Sequence, residues 1–152
     1  MANLLSRTLF SLSFVVRAAL SPVAFGVLAI VEQDGKVILV RQSYARGWRF
    51  PGGGVGRGEP PAEALLRELK EEIGLTRSAA PVLFGIYTRR IFPVTNVIAL
   101  YRVREAAFAF KPNMEIREVL LADPAAPPPD TSPAVRRRLA ELTGRTPPSP
   151  CW

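Results

Sequence analysis

Apolar residues come first in short continuous runs and only later at helical spacing. Residues 25–31 (FGVLAIV) form one run and 36–41 (KVILVR) the next, joined by Glu32-Gln33-Asp34-Gly35. Asp-Gly is a strong hairpin signal, because a two-residue turn of this kind needs positive φ at both positions. The two runs are therefore expected to pair as strands. Neither alternates with polar residues, which suits a sheet covered on both faces. Residues 42–49 break the pattern and lead to Phe50-Pro51-Gly52-Gly53-Gly54. The period then changes. Ala62, Leu65, Leu66, Leu69 and Ile73 recur at helical spacing and make one buried stripe. Pro60 and Pro61 suit the first helical turn, and Gly74 suits the left-handed position just past its end.

Beyond this helix, 82–89 and 97–104 read as two more strands separated by a loop at 90–96 that holds Pro93 and Asn96. Residues 106–110 read as a weaker edge segment. A loop at 112–118 leads into strand 119–121, and 122–130 is a proline-rich connection. Thr131 or Ser132 caps a second helix, with Pro133 in its first turn and its end near Leu142. The tail 144–152 holds three prolines and is expected to be flexible. At the other end, 1–20 is apolar with interspersed arginines. Its run 9–16 is too short to span a bilayer, and no clean cleavage site follows. An extra amphipathic helix is expected there, on the core, on a second copy in a homodimer, or on a membrane surface. The main domain is then 21–143.

The helix that Pro60-Pro61 opens and Gly74 closes carries the chemistry. Glu68, Glu71 and Glu72 stand at i, i+3 and i+4, with Glu72 nearest the edge of the apolar stripe. Like charges at this spacing each cost a helix about 0.2–0.5 kcal/mol. Stability alone does not select such an arrangement. Arg67 offsets part of the cost, four residues after Glu63 and four before Glu71. A solvated acidic face is the plain alternative. Clustered carboxylates are also hard oxygen ligands suited to Mg²⁺ or Mn²⁺, and the glycines just before them let backbone approach a ligand closely. Metal beside bare backbone suits phosphoryl transfer or hydrolysis.

Gly53, five residues, Glu59, seven residues, and then Arg67-Glu68-Leu69-Lys70-Glu71-Glu72-Ile73-Gly74-Leu75 resemble the Nudix box of the Nudix hydrolases at every defined position. The strand, hairpin, strand and WxFPGGG order ahead of it is similar to the same family. The resemblance implies an α/β fold, a mixed sheet sandwiched between helices, to which this chain adds the N-terminal helix. It implies Glu68, Glu71 and Glu72 as metal-binding and catalytic groups, with Arg67 orienting their carboxylates. Glu59 fits either a metal contact or a charge favoured by the helix dipole. The backbone of Gly52 or Gly53 supplies an oxygen ligand or approaches phosphate. Nudix proteins often add a loop carboxylate where Glu115 and Glu118 stand here, and Glu115 is preferred because Pro112-Asn113 suggests a defined turn. For substrate, Arg41, Arg46, Arg49, Arg89 and Arg90 are candidate phosphate partners. Trp48, Phe50, Tyr87, Phe92 and Tyr101 are candidate stacking rings, although strand aromatics are more often core. Substrate signatures of the family are missing: Ile91 and Pro93 do not fit the downstream pattern, and the coenzyme A signature upstream is absent.

Composition narrows the chemistry further. A chain of 152 residues with 48% hydrophobic and 22% charged residues is one globular domain's worth. Its net charge of +7 favours anionic substrates and non-specific nucleic-acid contact. The densest basic run, Arg136-Arg137-Arg138, is equally well a solvated helix face. A single cysteine, Cys151, leaves no internal disulfide and suits a reducing, cytoplasmic setting. With no histidine at all, His general bases, Ser-His-Asp triads and His-bound zinc are excluded. The expected activity is Mg²⁺- or Mn²⁺-dependent hydrolysis of a diphosphate bond in a small nucleotide derivative: a nucleotide sugar, an ADP-ribose-like compound or an NTP. Two alternatives stand beside it, a nucleotide-sensing module without turnover and an RNA 5′-end pyrophosphohydrolase.

Overall fold

The computed structural model describes residues 22–152; the expected helix at 1–20 lies outside them. The elements are β1 (Val23–Gln33), β2 (Lys36–Gln42), β3 (Trp48–Arg49), α1 (Pro61–Ile73), β4 (Leu75–Arg77), β5 (Val82–Ile91), β6 (Val94–Val103), β7 (Ala107–Phe108), β8 (Ile116–Ala122) and α2 (Pro133–Leu142). Among them no helix is long and apolar enough to cross a membrane.

Six strands make one mixed sheet in the order β3-β2-β1-β6-β5, with β8 on the far side of β2. β1 runs parallel to β6 from Val23↔Thr95 to Val31↔Val103, while β5 and β6 form an antiparallel hairpin. The β1–β2 hairpin turns through Asp34 and Gly35, both at positive φ (50° and 74°), as the Asp-Gly signal requires. β1 and β2 then pair only at Glu32↔Val37 and Gln33↔Lys36 before they diverge. The sheet forks there. The glycine-rich segment enters the fork along the free edge of β1: Val27 N–H donates to the Gly53 carbonyl, Ala29 N–H to Pro51, and Val55 N–H to Phe25.

Burial on both faces explains why β1 and β2 read as unbroken apolar runs. Val27, Ala29 and Val31 pack with Ile38, Val40 and the α1 residues Leu65, Leu69 and Ile73. Ile30, from the other face, packs with Val37, Leu39, Leu100 and the α2 residues Val135 and Leu139. Each helix therefore covers one face of a mixed sheet, the layering expected from the sequence.

Several expectations are corrected. Ala64, not Ala62, is buried in the α1 stripe. The 90–96 loop is a tight turn at Phe92-Pro93, because Ile91 and Val94 already pair across the hairpin. Trp48-Arg49, expected in a loop, adds to the β2 edge. The closing residues do not trail free. Thr88 N–H donates to the Pro150 carbonyl and Trp152 N–H to Thr88, tying 150–152 to β5. The Trp152 ring meets Tyr87 edge-on at 5.7 Å. Arg138, fully buried, lies over Tyr87 at 4.1 Å, pairs with Glu141 at 2.7 Å and donates to the Cys151 carbonyl. A buried guanidinium needs such partners, and here the tail supplies one of them.

Candidate functional site

The fork between β1 and β2 is where α1 meets the glycines. A Cβ at Gly52, whose φ is 130°, would run into the Val27 carbonyl; only glycine fits this close approach. The Gly52 N–H donates to the Glu72 carboxylate at 2.6 Å. A side chain at Gly53 would fall on the Glu68 carboxylate. Pro51 and Gly53 give their carbonyls to β1, which leaves the intervening Gly52 carbonyl out of that ladder.

Helix α1 starts after Pro60 and stops at Gly74 (φ 69°), and within it Glu72 is turned into the protein. Exposure grades across the acidic residues: the Glu72 residue is 3% exposed, and the Glu68 and Glu71 side chains 14% and 60%. Burial pushes the Glu72 carboxyl up to about 7, and the charges of Glu68 and Glu115 push the same way. Hydrogen bonds from Gly52 N–H and from the Gln42 side chain pull against this rise without cancelling it. The Tyr44 hydroxyl is raised as well, by desolvation first and then by Glu72, Glu115 and Glu68.

Arg67 ties the acidic face to the loop. It donates to Glu59 at 2.9 and 3.0 Å, to Glu68 at 2.7 Å and to the Gly54 carbonyl at 3.1 Å, and stands 3.6 Å from Glu71. Glu63 is not among its ion pairs, so the partner expected from helical spacing gives way to Glu59 from the loop. Glu59 also accepts from Gly56 N–H, and Arg67 is the first cause of its carboxyl falling to about 2.

Of the two carboxylates expected from the 112–118 loop, the structure brings Glu115 to this place. The Asn113 side-chain oxygen accepts from the N–H groups of Glu115 and Ile116, and its amide donates to the Glu71 and Glu72 carbonyls at the end of α1. Ser43 N–H takes the Glu115 carbonyl at 2.7 Å. Glu115 is thereby held close enough to act on Glu72. Glu118, one strand position from Val119, faces Arg41 across the β2–β8 register at 3.8 Å.

The donor set fits a divalent cation in its chemistry: hard carboxylate oxygens, an uncommitted backbone carbonyl, and negative charge left uncompensated around Glu72. Among the described residues no three carboxylates converge on one metal position, since Glu68 is turned to Arg67.

The substrate candidates separate. Arg41 is committed to Asp130 at 2.9 Å and covers the Trp48 ring at 4.6 Å. Trp48 itself is buried in the α2-side core, so neither residue faces the acidic cluster. Phe50 is also core, but it shares with Arg49 and Leu28 the wall of a 390 Å³ cavity that opens between the fork and the start of α2. Gln42, Tyr44 and Arg137 are site neighbours that the residue pattern did not single out, whereas Arg89, a phosphate candidate from the sequence, lines the cavity. Gln42 and Tyr44 carry no local signal, whereas Asn113 is visible as an Asx turn beside Pro112.

Comparison with known proteins agrees with this geometry. A family model described as NUDIX domain matches residues 20–142. The RNA pyrophosphohydrolase of Hydrogenovibrio crunogenus is 45% identical over 56 residues, 37% of this chain and 34% of that protein. That of Halorhodospira halophila is 43% identical over 56 residues and 31% of its length. The match thus spans about a third of these curated relatives. Among solved structures, a MutT NUDIX hydrolase from Burkholderia pseudomallei superposes with a TM-score of 0.71 at 20% identity, covering 80% of this chain and 99% of that one. A nudix hydrolase family member from Chromobacterium violaceum gives 0.64 at 29% identity, covering 82% and 79%. A whole Nudix box on α1, the forked mixed sheet that presents it, and a family match over most of the chain make this protein a member of the Nudix hydrolase family.

Proposed function

We propose that the fork is a hydrolytic site for the diphosphate bond of a nucleoside diphosphate linked to a further group. One observation carries the reading. Glu72 is buried against the bare backbone of Gly52 with Glu68 and Glu115 beside it; burial first, and then their negative charge, raises its carboxyl to about 7. Stability alone does not favour such a cluster; a cation and a phosphate ester give it a purpose. Glu72 and the Gly52 carbonyl would hold Mg²⁺ or Mn²⁺, with Glu68 and Glu71 joining them by turning from Arg67. Such an ion, when bound, neutralises charge on the diphosphate and acidifies water.

The chain's own groups do the rest. Gly52 to Gly54, without side chains, admit the diphosphate to the mouth of the fork. Arg67 keeps the Glu68 carboxylate oriented and anchors the loop through Gly54. Glu115, fixed through Asn113 and Ser43, takes the proton of the attacking water. Arg49, on the wall of the cavity beside the fork, offers its guanidinium to the substrate's phosphates.

The test is a panel of nucleotide sugars, dinucleotides and nucleoside triphosphates, with phosphate products followed in Mg²⁺, in Mn²⁺ and in EDTA. Turnover of at least one of them, abolished by EDTA, is expected. Binding without turnover across the whole panel would instead make the chain a sensing module. A second reading, action on RNA 5′ ends, is favoured by the names of the curated relatives and by the +7 charge. It predicts activity on triphosphorylated RNA that falls steeply with salt, whereas a small nucleotide gives a shallow dependence.

A further inference from the structure

Most buried or half-buried arginines of the described chain have a fixed partner. Arg41 pairs with Asp130, Arg67 with Glu59 and Glu68, Arg102 with Glu32, and Arg138 with Glu141. Arg49, half-buried, forms no ion pair among the described residues; together with Arg89 and Arg137, two exposed arginines that are likewise unpaired, it lines the 390 Å³ cavity. No aspartate or glutamate lines it. Residues 1–21 contain no acidic residue either, so that segment cannot bring a neutralising carboxylate. The Nε atoms of Arg41, Arg49 and Arg138 are all buried without a partner. Arg41 and Arg138 are paired through their other nitrogens, whereas no side-chain hydrogen bond holds Arg49 among the described residues, a costly state that a ligand acceptor would relieve. The start of α2 forms part of the same wall and adds the positive end of its dipole.

The position of the cavity sets which part of a substrate enters it. Gln42 lines the cavity and hydrogen-bonds the Glu72 carboxylate, so cavity and acidic cluster share a wall. Arg49 precedes Gly52 by three residues, at most about 10 Å of extended chain. Arg89 lies on β5, three strand spacings from the glycine segment on the free edge of β1, about 14 Å between backbones, a gap that its long side chain shortens. An anion between Arg89 and Arg137 is therefore displaced from the scissile diphosphate by roughly the length of a nucleoside.

We propose that this cavity binds a second phosphate, carried on the ribose of the substrate's nucleotide arm, and that Arg49, Arg89 and Arg137 select for it. The inference rests on the nucleotide-diphosphate reading of the fork. Two sources share the chemistry: a ribose 3′-phosphate monoester on a small nucleotide, and the phosphodiester that leads to a second nucleotide.

Binding to the full chain in EDTA tests it without turnover. The ligands are adenosine 5′-monophosphate, adenosine 3′,5′-bisphosphate and the 5′-phosphorylated dinucleotide pApA, measured by calorimetry. The bisphosphate, the dinucleotide or both should bind at least about 10-fold tighter than the monophosphate, the effect of one good charge-assisted contact. Which of them gains identifies the source, monoester or diester. Arg89→Gln/Arg137→Gln should bring the ratio close to one. Lys36→Gln/Arg77→Gln removes the same charge from exposed positions elsewhere and should leave the ratio intact. Equal binding of all three ligands by wild type, a ratio that survives in the cavity variant, or an equal loss in the control pair would each overturn the proposal. Selective binding by a protein that hydrolyses nothing would refute the enzymatic reading and leave this one standing. Hydrolysis indifferent to the added phosphate would do the reverse.

Discussion

Replacing Glu72 by glutamine should stabilise the metal-free protein, and by an amount that depends on pH. Helical spacing alone gives only a few tenths of a kcal/mol from the like-charged neighbours. Burial makes the effect larger. The carboxyl rises from 4.5 to about 7 because desolvation disfavours its charged form and Glu68 and Glu115 add to the penalty. A folded-state value above the unfolded one means that the folded protein holds the proton more tightly. The associated stability is complete below about pH 4.5 and is lost as pH rises through about 7. The full shift corresponds to about 3 kcal/mol. Glutamine stays neutral throughout and keeps an oxygen for the Gly52 N–H. In EDTA the advantage of the variant should therefore be under about 1 kcal/mol at pH 5 and rise to about 3 kcal/mol at pH 8.5. In a domain of this size that is a Tm difference of roughly 6–12 °C. Denaturant melts at pH 5, 6, 7 and 8.5 measure it directly. Mg²⁺ at pH 8.5 should reverse the order, since only wild type gains fully by binding the ion. A difference that does not change with pH, or a variant less stable at pH 8.5 without metal, would refute the electrostatic reasoning.

Arg67→Ala should lower Tm even in EDTA, because it frees Glu59, Glu68 and the Gly54 carbonyl together, and should weaken Mg²⁺ binding by about 10–100-fold on titration. Glu115→Gln should reduce kcat by about 10²–10⁴-fold while Glu118→Gln stays near wild type, because the first faces Glu72 and the second faces Arg41; equal rates in steady-state assays would return the loop to a surface role. Arg138→Met should leave Glu141 buried without its cation and loosen the tail, seen as a lower Tm and faster proteolysis of residues 146–152.

Local signals explain what was legible in the chain. Asp34-Gly35 dictates its own turn, the stripe from Leu65 to Ile73 dictates its helix, and Pro61 and Gly74 mark the helix ends at single residues. The acidic cluster was legible for the same reason, since its spacing is written within one helix. What was not legible depends on contacts between distant segments. Ala62 and Ala64 flank the same stripe, and only the angle at which α1 sits on β1 decides which is covered. Three prolines suggested a loose tail, but Arg138 and Tyr87 hold Trp152 from elements far away in sequence. Trp48 and Arg41 looked like substrate contacts until the β2–β3 pairing placed one over the other. Gln42 reaches Glu72 only because β1 and β2 part company, a fork that no residue pattern announces. The choice of Glu115 over Glu118 rested on Pro112-Asn113, and the Asx turn at Asn113 is the geometry that aims it.

The central claim is that the fork is a metal-dependent hydrolytic site rather than an acidic surface. The most direct measurement is the rate at which Glu72→Gln, folded and at saturating Mg²⁺, turns over the best nucleotide of the substrate panel. A fall of several orders of magnitude is expected, because a buried carboxylate with no other role in stability is lost from the place where the diphosphate reacts. Wild-type turnover by this variant, or turnover by either protein that persists in EDTA, would contradict the claim.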